Sequence, residues 1–121
     1  MEEFVARRVA KTKSGKLIKV VADTPGLDDQ NLQALVNAAH RHGNLVIAQA
    51  SQVSAYRRDI AMGCDVLTPV PVDGELDSEL VSQLRDKGIA VIPTLLFLQR
   101  ALLKPSIHHP CTTRLRPLSK F

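Results

Sequence analysis

The sequence is poor in the residues that define several common kinds of protein. It has no Trp, one Tyr, three Phe and two Cys among 121 residues. Two thiols are too few for a disulfide scaffold or a four-thiolate zinc site. No apolar run approaches the roughly 18 residues of a membrane-spanning helix. The first residues, Met1 to Phe4, show neither the basic nor the apolar region of a signal peptide. We therefore expect a cytoplasmic protein without a membrane partner.

The sequence does contain enough apolar side chain for one modest core. Apolar residues make up 45% of it and charged residues 23%, which is too apolar for a disordered chain and suits a single domain. The net charge of +4 is uneven, because residues 1–99 carry 11 basic and 12 acidic side chains, whereas residues 100–121 carry five basic and none acidic. The positive charge belongs to the C-terminal end, so a basic nucleic-acid-binding face is not expected.

A unit of one helix followed by one strand recurs three times. Each predicted helix ends at a glycine (Gly43, Gly63 or Gly88), the residue that most readily ends a helix, and a short apolar run follows. The predicted helices are 28–42, 52–62 and 78–87, with N-caps at Asp28, Ser51 and Asp77. The predicted strands are 16–22, 45–48, 66–67 and 89–92, and a further helix is predicted around residues 4–9.

This order of elements predicts an α/β protein with about four parallel strands. The strands are short and apolar on both sides, as in a parallel sheet covered by helices. The pattern fits a small open sheet or half of an eight-stranded α/β barrel, and periodicity alone leaves both open. In either case functional side chains are expected where the strands end. Those positions are Asp23, Gln49, Pro69 and Thr94, with Lys19 inside the first strand.

Four stretches carry a resemblance to a known family. They are IKVVADTPG at residues 18–26, AAHRHG at 38–43, VIAQA at 46–50 and GCDVLTPVP at 63–71. In this order they resemble the amidohydrolase superfamily, in particular its imidazolonepropionase-like and prolidase-like members. The resemblance implies strands four to seven of a TIM-type barrel. It also implies hydrolysis of C–N bonds by metal-bound hydroxide, since a divalent metal lowers the pKa of its water towards ~7.

The resemblance also implies which residues would hold the metal. Binuclear members use two His of strand one, a carboxylated Lys of strand four, His of strands five and six, and Asp of strand eight. Lys19 falls at the lysine position, where carbon dioxide would give a bridging carbamate. Gln49 and Pro69 stand at the two later histidine positions, and neither side chain suits zinc. We expect zinc or a similar metal in relatives, and none bound by this chain alone.

The same residues permit a different interpretation. Lys19, Asp23, Gln49 and Thr94, together with Ser51, would bind a small polar or anionic ligand without any metal. They are otherwise ordinary polar residues at strand ends. Cys64 opens a buried strand and is expected in the core rather than as a nucleophile.

The end of the sequence differs in character from the rest. The resemblance stops near Leu98, and residues 99–121 contain three prolines, five basic residues and no clear period after about Lys104. Such sequence is typical of disorder. We therefore divide the chain into a partial barrel, 1–98, and a disordered tail, 99–121, and hypothesise a truncated gene product. Nucleic-acid binding by the tail would be weak and salt-dependent.

Half a barrel would leave two open strand edges and an exposed sheet face. We therefore expect a homo-oligomer, a dimer that closes a barrel-like structure, with a small-molecule ligand as the other possible partner.

Overall fold

The computed structural model describes residues 1–11 and 16–102. The expected α/β class is confirmed for this part, which forms five helices and one parallel sheet of four strands. The helices are α1 (Glu2–Lys11), α2 (Asp29–Arg41), α3 (Val53–Met62), α4 (Ser78–Asp86) and α5 (Leu95–Leu102). The strands are β1 (Leu17–Val21), β2 (Leu45–Gln49), β3 (Val66–Thr68) and β4 (Ala90–Val91). Helix α5 runs through the predicted boundary at residue 98, and the remainder of the predicted tail, 103–121, lies outside the described residues.

The strands stand in the sheet in the order in which they occur in the chain, β1-β2-β3-β4, and every neighbouring pair is parallel. The strand order never reverses. Because crossovers between parallel strands are right-handed, an order without reversal carries all the connecting helices to the same side of the sheet. In the described part of the chain, this topology therefore leaves the other side of the sheet without a connecting helix.

Burial follows that topology. Along β1, Ile18 and Val20 are buried, whereas Leu17, Lys19 and Val21 are exposed. In the described part of the chain the connecting helices cover one face of the sheet, although the strands are apolar on both sides. The uncovered side is called the bare face below. Its strand residues are Leu17, Lys19, Val21, Leu45, Ile47, Gln49, Val66, Thr68 and Ala90.

Local signals set most helix ends as predicted. Asp28 accepts a hydrogen bond from the Asn31 N–H at 2.7 Å, and Asp77 accepts one from the Leu80 N–H at 2.8 Å. Gly63 ends α3 in the left-handed region, at φ +84°. The predicted Ser51 N-cap is wrong, because α3 begins after Gln52. Strand β4 is also two residues shorter than the predicted 89–92. None of the described helices has both the length and the hydrophobicity required to cross a membrane.

Candidate functional site

Three polar side chains lie on the bare face: Gln49 and Thr68 are neighbours in register at the strand ends, and Lys19 lies within β1. Gln49 pairs in register with Val21 of β1 and with Thr68 of β3. Since side chains alternate along a strand, Lys19 lies two residues earlier than Val21 and on the same face. Lys19 is exposed, and Gln49 and Thr68 are half-buried. Within the described residues, neither the Lys19 ammonium nor the Gln49 amide group has a hydrogen-bond partner. These two groups are therefore available to a ligand.

Asp23 was expected to bind a ligand at the strand end, but its carboxylate binds a neighbouring loop instead. One carboxylate oxygen accepts from the Ser51 N–H at 2.7 Å and the Gln52 N–H at 3.2 Å, and the other accepts from the Ser51 hydroxyl at 2.6 Å. Both oxygens are thus occupied by the loop that leads into α3. The structure brings Asp23 and Ser51 together, but as partners of each other.

A second carboxylate completes the start of α3. Asp73, in the loop after β3, accepts from the Val53 N–H at 2.8 Å. The Gln52 side chain accepts from the Thr24 N–H at 3.0 Å and so joins the loop after β1 to the same helix. The first N–H groups of a helix lack partners within it, and negative charge is favoured there. Asp23 and Asp73 therefore satisfy α3 from two neighbouring loops.

The other two predicted strand-end residues bring no free polar side chain to Lys19. Thr94 lies three residues beyond β4, with φ +48°, and its carbonyl accepts from the Leu98 N–H at 3.1 Å in the first turn of α5. Pro69 follows β3 and has no donor atom in its side chain, and its carbonyl accepts from the Tyr56 hydroxyl. Of the predicted site residues, only Lys19 and Gln49 share the bare face with free polar groups.

A buried carboxylate on α3 was not predicted from the sequence. Asp59, on α3, is fully buried, and neither of its oxygens has a hydrogen-bond partner among the described residues. Burial raises the pKa of Asp59 to about 7; nearby Arg58, whose Nε lies 4.0 Å from Oδ1, opposes this, and the negative charge of Asp23 adds to it. The helical spacing from Ala55 and Tyr56, both buried, was the signal that would have placed Asp59 in the core.

Arg58 binds the loop that follows β1. Its guanidinium donates to the carbonyls of Ala22 and Leu27, at 3.1 Å for the latter, and lies 3.5 Å from Asp29. The side chain is 18% exposed. Arg58 therefore binds backbone oxygens of the loop between β1 and α2, and its charge is directed to that loop rather than to the bare face.

Cys64 is in the core, as predicted. Burial raises the pKa of its thiol to about 12, with further contributions from Asp59 and Asp65. A thiol with so high a pKa carries almost no thiolate at neutral pH and is a poor nucleophile. The structure gives no support for a nucleophile at this position.

The residues at the strand ends do not fit the metal centre that the resemblance implies. Asp23 has both oxygens bound by Ser51 and Gln52, Gln49 offers a neutral amide, and Pro69 offers no donor. Lys19 is the one position left, whereas a catalytic zinc normally takes three protein ligands. Across residues 1–11 and 16–102, no three His, Cys, Asp or Glu side chains cluster closely enough to hold a metal ion.

Comparison with known proteins adds information on the fold alone. No protein-family model matches the sequence, and no curated protein matches it with significant similarity. A crystal structure of a protein described as uncharacterized has a similar fold, with a TM-score of 0.65 and 17% sequence identity. The similarity covers 87% of this chain and 29% of that one, so this chain spans less than a third of that protein's length. A shared fold does not establish a shared activity.

Proposed function

We propose that this chain is half of an amidohydrolase-type α/β barrel, and that metal-dependent hydrolysis of C–N bonds belongs to the complete barrel of its relatives. On this proposal the chain alone is inactive. The observation that carries it is the position of Lys19. This residue stands on the bare face of β1, the side that would face the interior of a barrel, at the position where the resemblance places a carboxylated lysine.

The topology supports the barrel part of the proposal. Sheets with helices on both faces need a reversal of strand order, and this sheet has none in its four strands. When helices cover just one face of a parallel sheet, curling into a barrel buries the other face. The bare face is largely apolar, as the interior of such a barrel is.

The lost metal ligands can be restored, which gives the proposal a direct test. We expect the unmodified chain to carry less than about a tenth of an equivalent of zinc, since three ligands are normally needed. The double variant Gln49→His with Pro69→His places an imidazole at each of the two histidine positions that the resemblance implies, and it is expected to hold at least about half an equivalent. Elemental mass spectrometry after growth with zinc measures both, and an assay of dipeptide and cyclic amide hydrolysis with and without chelator accompanies it.

The matched control places two histidines away from the strand ends, at Asn37 of α2 and Gln83 of α4. It is expected to hold no more zinc than the unmodified chain, and adding Lys19→Met to the restored variant is expected to lower its zinc content. Equal zinc in the restored variant and the control would contradict the proposal. So would an equivalent of metal with chelator-sensitive hydrolysis in the unmodified chain.

The bare face also supports a second candidate function, binding of a small carboxylate without metal. Its nine strand residues include one cation, Lys19, and two uncharged polar side chains, Gln49 and Thr68, and no acid. An ammonium on the same face as an amide and a hydroxyl suits a carboxylate, and the apolar neighbours suit an apolar body on the same ligand.

Titration distinguishes this second function. We expect short-chain and aromatic carboxylates to shift the backbone NMR signals of β1 and β2 with a Kd of about a millimolar, and the matching amides to bind at least about tenfold more weakly. Lys19→Met is expected to abolish the preference for the acid, whereas Lys16→Met, next to the same strand, should leave it unchanged. Equal binding of acids and amides would rule out an anion site at Lys19.

A further inference from the structure

Both edges of the described sheet are open. In the described residues β1 pairs only with β2, and β4 only with β3. The bare face between these edges leaves Leu17 57%, Val21 49% and Leu45 47% exposed. Open edges together with an exposed apolar face are what a protein buries on association.

The free edge of β1 has room beside it. Helix α1 stands next to this edge, and two grooves of about 240 and 590 Å³ lie between the helix and the strand. Phe4 of α1 and Lys19 of β1 line both grooves. The remaining lining is largely apolar and includes Met1, Val9, Leu17, Val21, Pro25 and Leu27. This edge therefore offers backbone partners to a strand and an apolar channel to the side chains that accompany it.

The free edge of β4 is followed by a helix with exposed apolar residues. Strand β4 is followed after three residues by α5, whose first residues Leu95, Leu96 and Phe97 are 60–69% exposed. In an α/β unit the helix that follows a strand packs against the next strand of the sheet. Helix α5 has no next strand in the described chain, so its apolar residues are left to solvent.

We propose that a second copy of this chain closes the barrel, with β4 of each copy pairing in parallel with β1 of the other. A twofold axis along the barrel would form both junctions at once, and α5 of each copy would pack beside α1 and β1 of its partner. The interface follows from two features of one chain, an edge with an apolar groove at its beginning and an edge with an unpacked apolar helix at its end. The inference rests on the half-barrel proposed above.

The number of strands favours a second copy of this chain over a single added strand or an unrelated partner. Eight strands enclose an interior that side chains just fill, and four strands from each of two copies make eight. Closure leaves no edge open, whereas one added strand would move the open edge without removing it. The dimer also buries the bare faces of both copies against each other.

The experiment measures mass and edge protection on the full chain. Sedimentation from low to high micromolar concentration is expected to give twice the chain mass of 13.3 kDa. Val21→Lys on the bare face and Phe97→Lys on α5 are each expected to weaken self-association at least about tenfold, since each change occurs twice in the dimer. Both residues are exposed in the single chain, so the substitutions leave its core intact. The control, Val81→Lys on α4, changes an equally exposed valine (52%) on the helical side.

Hydrogen exchange identifies the geometry. The amides of β1 and β4 at the open edges are expected to become protected as concentration rises, together with those of α5. A monomer at all concentrations overturns the proposal. A dimer with unprotected edges, as in two sheets stacked face to face, overturns it as well, and so does open-ended growth into larger species. Zinc uptake by the Gln49→His, Pro69→His variant is measured independently of mass, so failure of the dimer and failure of the amidohydrolase proposal are told apart.

Discussion

Replacing Asp59 by Asn is expected to raise the free energy of unfolding by up to about 4 kcal/mol at about pH 8, and to change it little at about pH 4. Asp59 is fully buried on α3, and its carboxylate has no hydrogen-bond partner in the described structure. A charge in such a place is costly, which is why burial raises its pKa from 3.8 to about 7. Asn is nearly the same shape and carries no charge, so the cost disappears.

The pH dependence follows from which state holds the proton. At pH values below 3.8 both the folded and the unfolded carboxyl are protonated, so Asp59 costs nothing as a charge. As the pH rises from there to about 7, the unfolded chain gives up its proton while the folded chain retains it. Stability due to this group therefore falls with rising pH and levels off above about pH 7.

Urea unfolding measures the free energy of unfolding at both pH values. It is followed by far-ultraviolet circular dichroism, because the chain has no Trp to report by fluorescence. Protein concentration is held constant throughout, since association would add to apparent stability. The control is Asp86→Asn, an exposed carboxylate at the end of α4, expected to change stability by less than about 0.5 kcal/mol at either pH. An Asp59→Asn variant less stable than the parent at high pH would mean that Asp59 is paired when charged.

The elements of this fold were predictable where the signal is local. Asp28 and Asp77 lie at the starts of two helices, and Gly63 lies at the end of a third, because caps and left-handed stops depend on a few neighbouring residues. The predicted N-cap at Ser51 was wrong for the opposite reason. Its hydroxyl is bound by Asp23, 28 residues earlier, and no local pattern reveals a competitor so distant in sequence.

An exposed sheet face was expected of half a barrel, but the hydrophobic pattern alone did not predict the bare face. Leu17, Val21 and Leu45 are apolar, so the strands looked buried on both sides, yet these residues are exposed in the described chain. Which face the helices cover depends on the order of the strands, and that is a property of the whole sheet. The candidate site depends on the sheet in the same way: Lys19 and Gln49 were predicted from the sequence, but only the strand register shows that they share a face with Thr68.

Replacing Asp23 by Ala is expected to lower the free energy of unfolding by about 2–4 kcal/mol. The carboxylate accepts three hydrogen bonds from Ser51 and Gln52 at the start of α3, and a partly buried ionised acceptor is worth more than a neutral one. Asp73→Ala is the matched control. It removes one exposed hydrogen bond to the same helix, from the Val53 N–H, and is expected to cost about 1 kcal/mol. Both are measured by urea unfolding at neutral pH.

A double-mutant cycle with Ser51→Ala separates a structural Asp23 from a ligand-binding one. If Asp23 holds the start of α3 in place, removing Ser51 Oγ and the carboxylate together should cost less than the two single changes added, with a coupling of about 1 kcal/mol or more. A group kept for a ligand would instead leave the empty protein as stable or more stable when removed, since binding groups are often held at a cost in stability. A small loss of stability in Asp23→Ala, without coupling to Ser51, would therefore indicate that Asp23 binds a ligand together with Lys19 and Gln49. A large, coupled loss would leave Lys19 as the one charged side chain on that face.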